Sequence, residues 1–346
     1  MNNKFSALLG IIGTTLLVSP TVDARPLTLV GFGGAAQNAQ KVTMFEPFSA
    51  QTNIEILTDT YNGGLAKIKA MVDSETVTWD VVLLEDPALL QACGEGLIEP
   101  MDWAAVGGKD KYLESAVSEC GLGHIIWSTA LAYNKDALAK EPKNWTDFWD
   151  VEKFPGKRGL RKGAKANLEF ALMADGVAAT EVYNVLKTPA GIERAFSKLK
   201  ELEPYIQWWE AGAQPPEWLA SGDVVMTSSY SGRIANAIKE GRNFGLVWDG
   251  QIYSVDSWAV IKGSENKTQG FKFISFASSE GPASEYPLMM PYGVPNKAAI
   301  SKLPPEVAKK LPGSKANIAV GLREDTIFWV DYQDELNQRF NFLISQ

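Results

Sequence analysis

Between residues 27 and 95 the chain repeats one pattern: a short apolar run, a turn, and a segment with helical spacing of apolar side chains. Residues 27–30 run into Gly31-Phe32-Gly33-Gly34 and then a helix-like stretch through Ser49. Residues 53–59 alternate as a strand does, and Tyr61-Asn62-Gly63-Gly64 turns into a helix over 65–73. Residues 80–84 form a third strand before Glu85-Asp86-Pro87, where Asp86 is the expected N-cap and Pro87 a first-turn residue. Consecutive strand-to-helix units predict an α/β fold with a largely parallel sheet. Ligands of such sheets sit beyond the carboxyl ends of the strands, so loops 31–34, 61–64 and 85–86 are expected on one rim.

At 346 residues the chain exceeds the size at which one core stops growing, and two lobes are expected. Residues 1–24 carry one lysine, an apolar run over 5–18 and Val22-Asp23-Ala24, the pattern of a cleaved secretory signal. Without a twin arginine or a nearby cysteine, the expectation is export by the general route, no lipid anchor, and a mature chain starting at Arg25 in the bacterial periplasm. No later run approaches the roughly 20 apolar residues of a spanning helix. The net charge of -8 argues against nucleic acid or an anionic membrane as partner. Cys93 and Cys120, the only cysteines, are either bridged, as an oxidising compartment favours, or two buried thiols. The sole histidine, His124, lies outside any cluster with ligand spacing, so no metal or cofactor is expected.

Further on, residues 124–133 read as a strand crossing into a second lobe, and 250–262 as the strand returning from it. Between them, helical spacing marks 167–175, 179–186, 191–202, 215–220 and 232–239, with strands at 206–209 and 224–227. The expected division is 25–128 for the first part of lobe 1, 129–254 for lobe 2, and 255–346 for the return to lobe 1 with terminal helices, in a monomer.

Arg233 and Asp256 stand out as the two ends of a ligand clamp. An arginine fork suits a carboxylate and an aspartate an ammonium, so together they fit a small zwitterion. The bland alternatives are a first-turn surface arginine and a carboxylate satisfied within its own strand. Among many aromatic residues, Phe32, Trp209, Tyr230 and Trp258 are placed to line the ligand's methylenes, the rest being core. Glu85 is a second candidate for the amine, Gly33 and Gly34 would let backbone amides approach an anion, and Gln214 could add a hydrogen bond. Glu169, inside a helix, reads as a solvated residue.

An ordered set of segments gives a further expectation: Trp79-Asp80-Val81-Val82, Gly96-Leu97-Ile98-Glu99-Pro100, Trp127-Ser128-Thr129, Phe148-Trp149-Asp150, Phe154-Pro155-Gly156-Lys157-Arg158, Glu169-Phe170-Ala171, Ser231-Gly232-Arg233 and Pro291-Tyr292-Gly293. With it the chain resembles the periplasmic solute-binding proteins of ABC transporters, in the spermidine and putrescine branch. The resemblance implies a type II two-lobe fold closing about a hinge, no catalysis, and an inner-membrane ABC permease as partner. Polyamine binders of the branch tend to carry an acidic residue near the position of Arg233, where a cation would repel a diamine. Arg233 with Asp256 instead looks like the pair in relatives that bind gamma-aminobutyrate (GABA). Polyamines and 5-aminovalerate remain the alternative ligands.

A rival from another class is an NAD-dependent oxidoreductase, since Gly31-x-Gly33-x-x-Ala36 follows a strand and Glu55 lies near the spacing of a ribose-binding acid. A hydrolase is disfavoured, because His124 opens an apolar strand and there is no Gly-x-Ser-x-Gly elbow.

Overall fold

The computed structural model describes residues 25–345; the expected signal segment lies outside the described residues. One sheet of nine strands organises the chain: β1 (Leu27–Gly31), β2 (Ile56–Thr60), β3 (Val81–Glu85), β4 (Leu122–Asn134), β5 (Arg158–Arg161), β6 (Ile206–Trp209), β7 (Met226–Tyr230), β8 (Phe244–Val260) and β9 (Leu322–Arg323). Its order is β2-β1-β3-β8-β4-β7-β5-β6, with β9 beside β8. β1 pairs in parallel with β2 and β3, and β5 in parallel with β6 and β7. The long strands β4 and β8 run antiparallel between these two parallel groups.

Each group has its own core. Leu27, Phe48, Leu83, Trp258 and Phe273 pack together on one side; Trp145, Phe148, Phe170, Leu199 and Trp329 pack on the other. Four successive buried residues in β3, Val81 to Leu84, are what a strand covered on both faces requires. In the helix Pro189–Leu202, proline opens the first turn, the Thr188 side chain accepts from the Gly191 amide at 3.0 Å, and Ile192, Ala195, Phe196, Leu199 and Leu202 form the buried stripe. This is a two-lobe α/β architecture whose lobes are joined by shared strands. The register of β4 on β8 breaks between Thr129 and Leu131, where β8 bows out through Gly250. Gly250 has φ 70°, and a Cβ there would lie 2.6 Å from the Trp145 ring, so glycine is required by backbone and packing alike.

Several expectations are corrected. Asp86 is not the N-cap: Glu85 holds that position, and Asp86 is the first residue of the helix Asp86–Gly94. Residues 158–161 form a strand that no alternation announced, and β7 lies two to three residues beyond the expected 224–227. The span 255–346 does not return as a unit to the first lobe. Trp258 and Phe273 join the first core, but the helix Thr326–Leu343 buries Phe328, Trp329, Leu336 and Phe340 in the second. Glu169 is not solvated. It is fully buried, accepting from the Tyr183 hydroxyl at 2.9 Å and the Trp329 indole at 2.7 Å. Burial of its carboxyl raises the pKa to about 7. Cys93 and Cys120 form a disulfide tying the helix Asp86–Gly94 to the approach to β4.

Candidate functional site

Asp256 lies on β8, opposite Glu85 of β3 and Ile125 of β4. Its residue is 5% exposed, and its Oδ1 accepts from the Trp127 indole N–H at 2.8 Å. Burial pushes this carboxyl well above the ordinary carboxylate range, and the negative charge of Glu85 adds to the push; the Trp127 hydrogen bond opposes it and Asp86 reinforces it. Among the described residues no cation pairs with Asp256 or with Glu85. A buried carboxylate with only a neutral donor beside it is complementary to an incoming cation.

Arg233 stands exposed in the first turn of the helix Ser231–Lys239, equally without an ion-pair partner among the described residues. Tyr230, the last residue of β7, precedes this helix. Its ring meets Trp127 edge-on at 5.8 Å and Trp209 at 5.6 Å. The ring of Tyr292 lies close to Gly232, where a Cβ would come within 3.1 Å of it, so glycine permits that approach. Burial raises the Tyr292 hydroxyl pKa, the Asp256 charge raises it further, and Arg233 pulls it down. Tyr292 thus sits within the field of both charged ends.

An enclosed cavity of about 220 Å³ is lined by Glu85, Trp127, Arg161, Tyr230 and Glu324, with residues of both lobes contributing. A larger groove of about 690 Å³, lined by Ile238, Leu288 and Met289, holds none of these unpaired acids.

Of the other expected site residues, Phe32 is exposed on the rim and stacks on Tyr61 at 5.4 Å. Trp209 is fully buried, donating to Ser228 Oγ at 3.2 Å, and supports Tyr230 from behind. Trp258 is core: it shares a face of β8 with Asp256 but packs against Phe45, Phe273 and His124. The Gly33 amide donates to Gln37 Oε1 at 2.8 Å and is not free for a ligand. Gly34 is exposed with φ 64°. The Gln214 Oε1 accepts from the amides of Glu210 and Ala211, both at 2.8 Å, and staples its own turn. Trp127 and Tyr292 stood among the aromatic residues expected to be mostly core, and nothing in the sequence singled out Arg161. Trp127 was findable from its place midway along a crossing strand; Arg161 lies on a strand too short to show a period.

Glu55 precedes β2, its carbonyl accepting from the Leu27 amide at the amino end of β1. Gly31 to Gly34 lie at the opposite end, so the spacing that mimicked a dinucleotide site places its two parts apart. His124 is buried beside Gln40 and Trp258, and burial lowers its pKa to about 3, which leaves it neutral.

Two lobes sharing crossing strands, with the acid Glu85 and the cation Arg161, neither in an ion pair among the described residues, lining a small cavity that Asp256 and Arg233 do not themselves line, define a solute-binding receptor. The family model of bacterial extracellular solute-binding proteins matches residues 43–313. The gamma-aminobutyric acid-binding protein of Pseudomonas aeruginosa is 47% identical over 333 residues, covering 96% of this chain and 95% of its own. An ABC transporter substrate-binding protein from Bradyrhizobium japonicum superposes with a TM-score of 0.83 at 33% identity, over 92% of this chain and 99% of that one. A structure described as a GABA receptor gives 0.81 at 32% identity, over 92% and 97%. The chain belongs to the bacterial extracellular solute-binding proteins, the substrate-binding components of ABC transporters.

Proposed function

We propose that this receptor binds GABA, with the ammonium on Asp256 and Glu85 and the carboxylate on Arg233. The observation that carries the reading is the buried Asp256 carboxylate, which accepts one indole N–H and has no cation partner among the described residues. Tyr230 and Trp127 flank the methylenes, while Trp209 backs Tyr230. The name of the Pseudomonas relative supports the same ligand. A diamine fits less well, because its second ammonium would face a guanidinium.

Ligand bridges the lobes about β4 and β8, with 25–128 and 129–254 as the two bodies and 255–346 divided between them, and the closed form is what an inner-membrane ABC permease recognises. The mature protein works as a periplasmic monomer after loss of residues 1–24, without cofactor or catalysis. Calorimetry with GABA, 5-aminovalerate, putrescine, proline and glutamate tests the reading. GABA or 5-aminovalerate is expected to bind tightest, and putrescine binding as tightly as either would overturn it.

A further inference from the structure

We infer that Arg161 is a second carboxylate-binding cation of the cleft, so that the anionic end of the ligand is held by two guanidinium groups, Arg161 and Arg233, flanking Tyr230. The inference rests on the zwitterion reading above and adds the residue that sets the preference for an acid over its uncharged analogues.

Arg161 ends β5, in register with Trp209 of β6. Its guanidinium carbon lies 6.0 Å from the Trp209 ring centroid and 5.9 Å from that of Tyr230. These separations lie at the outer edge of cation–π range, and the side chain, on an exposed residue, keeps its N–H groups available to an anion. Arg161 lines the 220 Å³ cavity with Glu85, Trp127 and Tyr230. Arg233 approaches Tyr230 from another flank, its Nε 3.9 Å from where a Gly212 Cβ would stand, beside the Tyr230 ring edge. Both arginines act on the Tyr230 hydroxyl in the same sense.

The neighbouring cations are already matched. Lys165 pairs with Glu324 at 2.7 Å, Lys162 with Glu210 at 2.8 Å, and Arg323 faces Asp86 at 3.7 Å. Among the described residues Arg161 has no such acid. The unpaired charges around Tyr230 and Trp127 are therefore the guanidinium groups of Arg161 and Arg233 and the carboxylates of Glu85 and Asp256. Their sum is zero when both acids are ionised, and a zwitterion preserves that balance.

Titration calorimetry on the full protein with GABA and its uncharged amide, 4-aminobutanamide, tests this. The parent is expected to prefer the acid. In Arg161→Gln, GABA should weaken on the order of tenfold or more while the amide changes little, so that the preference shrinks, and Arg161→Lys should restore part of it. Parallel weakening of acid and amide would overturn the inference, since that is the mark of lost packing on Trp209 and Tyr230; so would unchanged GABA affinity in Arg161→Gln. A parent that binds no omega-amino acid sinks the ligand reading and this inference with it, whereas a binding parent with an unaffected variant removes Arg161 alone.

Discussion

The Trp127 indole donates to Asp256 Oδ1 at 2.8 Å across β4 and β8, joining residues 129 positions apart in the chain. The bond occupies one carboxylate oxygen, and in the proposed site the other meets the ligand. It also fixes the carboxylate's orientation through an indole that touches Tyr230. In the proposed site, recognition rests on the two strands that both lobes share, so a ligand engaging Asp256 would sense their relative position.

Replacing Asp256 by Asn keeps an acceptor for Trp127 and removes the charge. The expected loss of GABA affinity is about 2–5 kcal/mol, because the ammonium is left buried without its partner. The ligand-free protein should instead become more stable than the parent, since a confined, unpaired carboxylate is gone. Calorimetry reads the first and urea unfolding the second; near-parental affinity would remove Asp256 from the site.

Trp127→Phe retains the ring and deletes the N–H. Asp256 Oδ1 then lacks its donor, and binding should weaken by about 1–3 kcal/mol. If affinity is unchanged, the indole's role is packing alone.

Arg233→Gln is expected to weaken GABA on the order of tenfold or more and to narrow the margin over putrescine, as one guanidinium no longer repels the diamine. A competition assay of the two ligands reports both effects. A wider margin would contradict the charge argument.

Four carboxyl groups hold their protons to higher pH when folded: Asp256 and Asp249 by direction, Asp86 at about 6 and Glu169 at about 7, burial being the leading cause for each. Through these groups the folded chain binds more protons than the unfolded one above the ordinary carboxylate range. Their stabilisation is present below that range, near pH 4, and is lost as pH rises through the raised values. Acids with lowered values, such as Asp147 and Asp325, are already ionised in both states above about pH 5 and leave the slope alone. Ligand-free protein should lose stability between about pH 6.5 and 8 in chemical unfolding, above the range in which His124, neutral when folded, makes stability rise with pH, and Glu169→Gln should flatten the curve. A parental curve rising over that interval would refute the assignment.

Removing the Cys93–Cys120 bridge by paired Cys→Ala substitution should cost about 3–4 kcal/mol, the closure entropy of a loop with sequence separation 27. Denaturant titration under non-reducing conditions measures it, and a loss below about 1 kcal/mol would mean that the unfolded chain is hardly constrained.

The strand and helix pattern of the first ninety or so residues was legible because apolar runs bounded by glycine, proline and capping residues have few local solutions. The terminal helix was legible as a helix, yet its lobe was not, because an amphipathic face does not say which core it will join. Trp258 illustrates the same limit: alternation correctly set it on the face of Asp256, but burial one step deeper made it core.

The amino-acid order alone determined the α/β character, the crossing strands and the candidate charges Arg233 and Asp256, since these rest on local periodicity and on the chemistry of single side chains. Tertiary structure decided which charges are left without partners. Gln214 and the Gly33 amide spend their hydrogen bonds close by in the chain, while Trp127 reaches Asp256 and Arg161 settles on Tyr230 only after distant strands align. Whether a polar group is free for a ligand depends on every neighbour that folding brings to it, and those neighbours come from all parts of the chain.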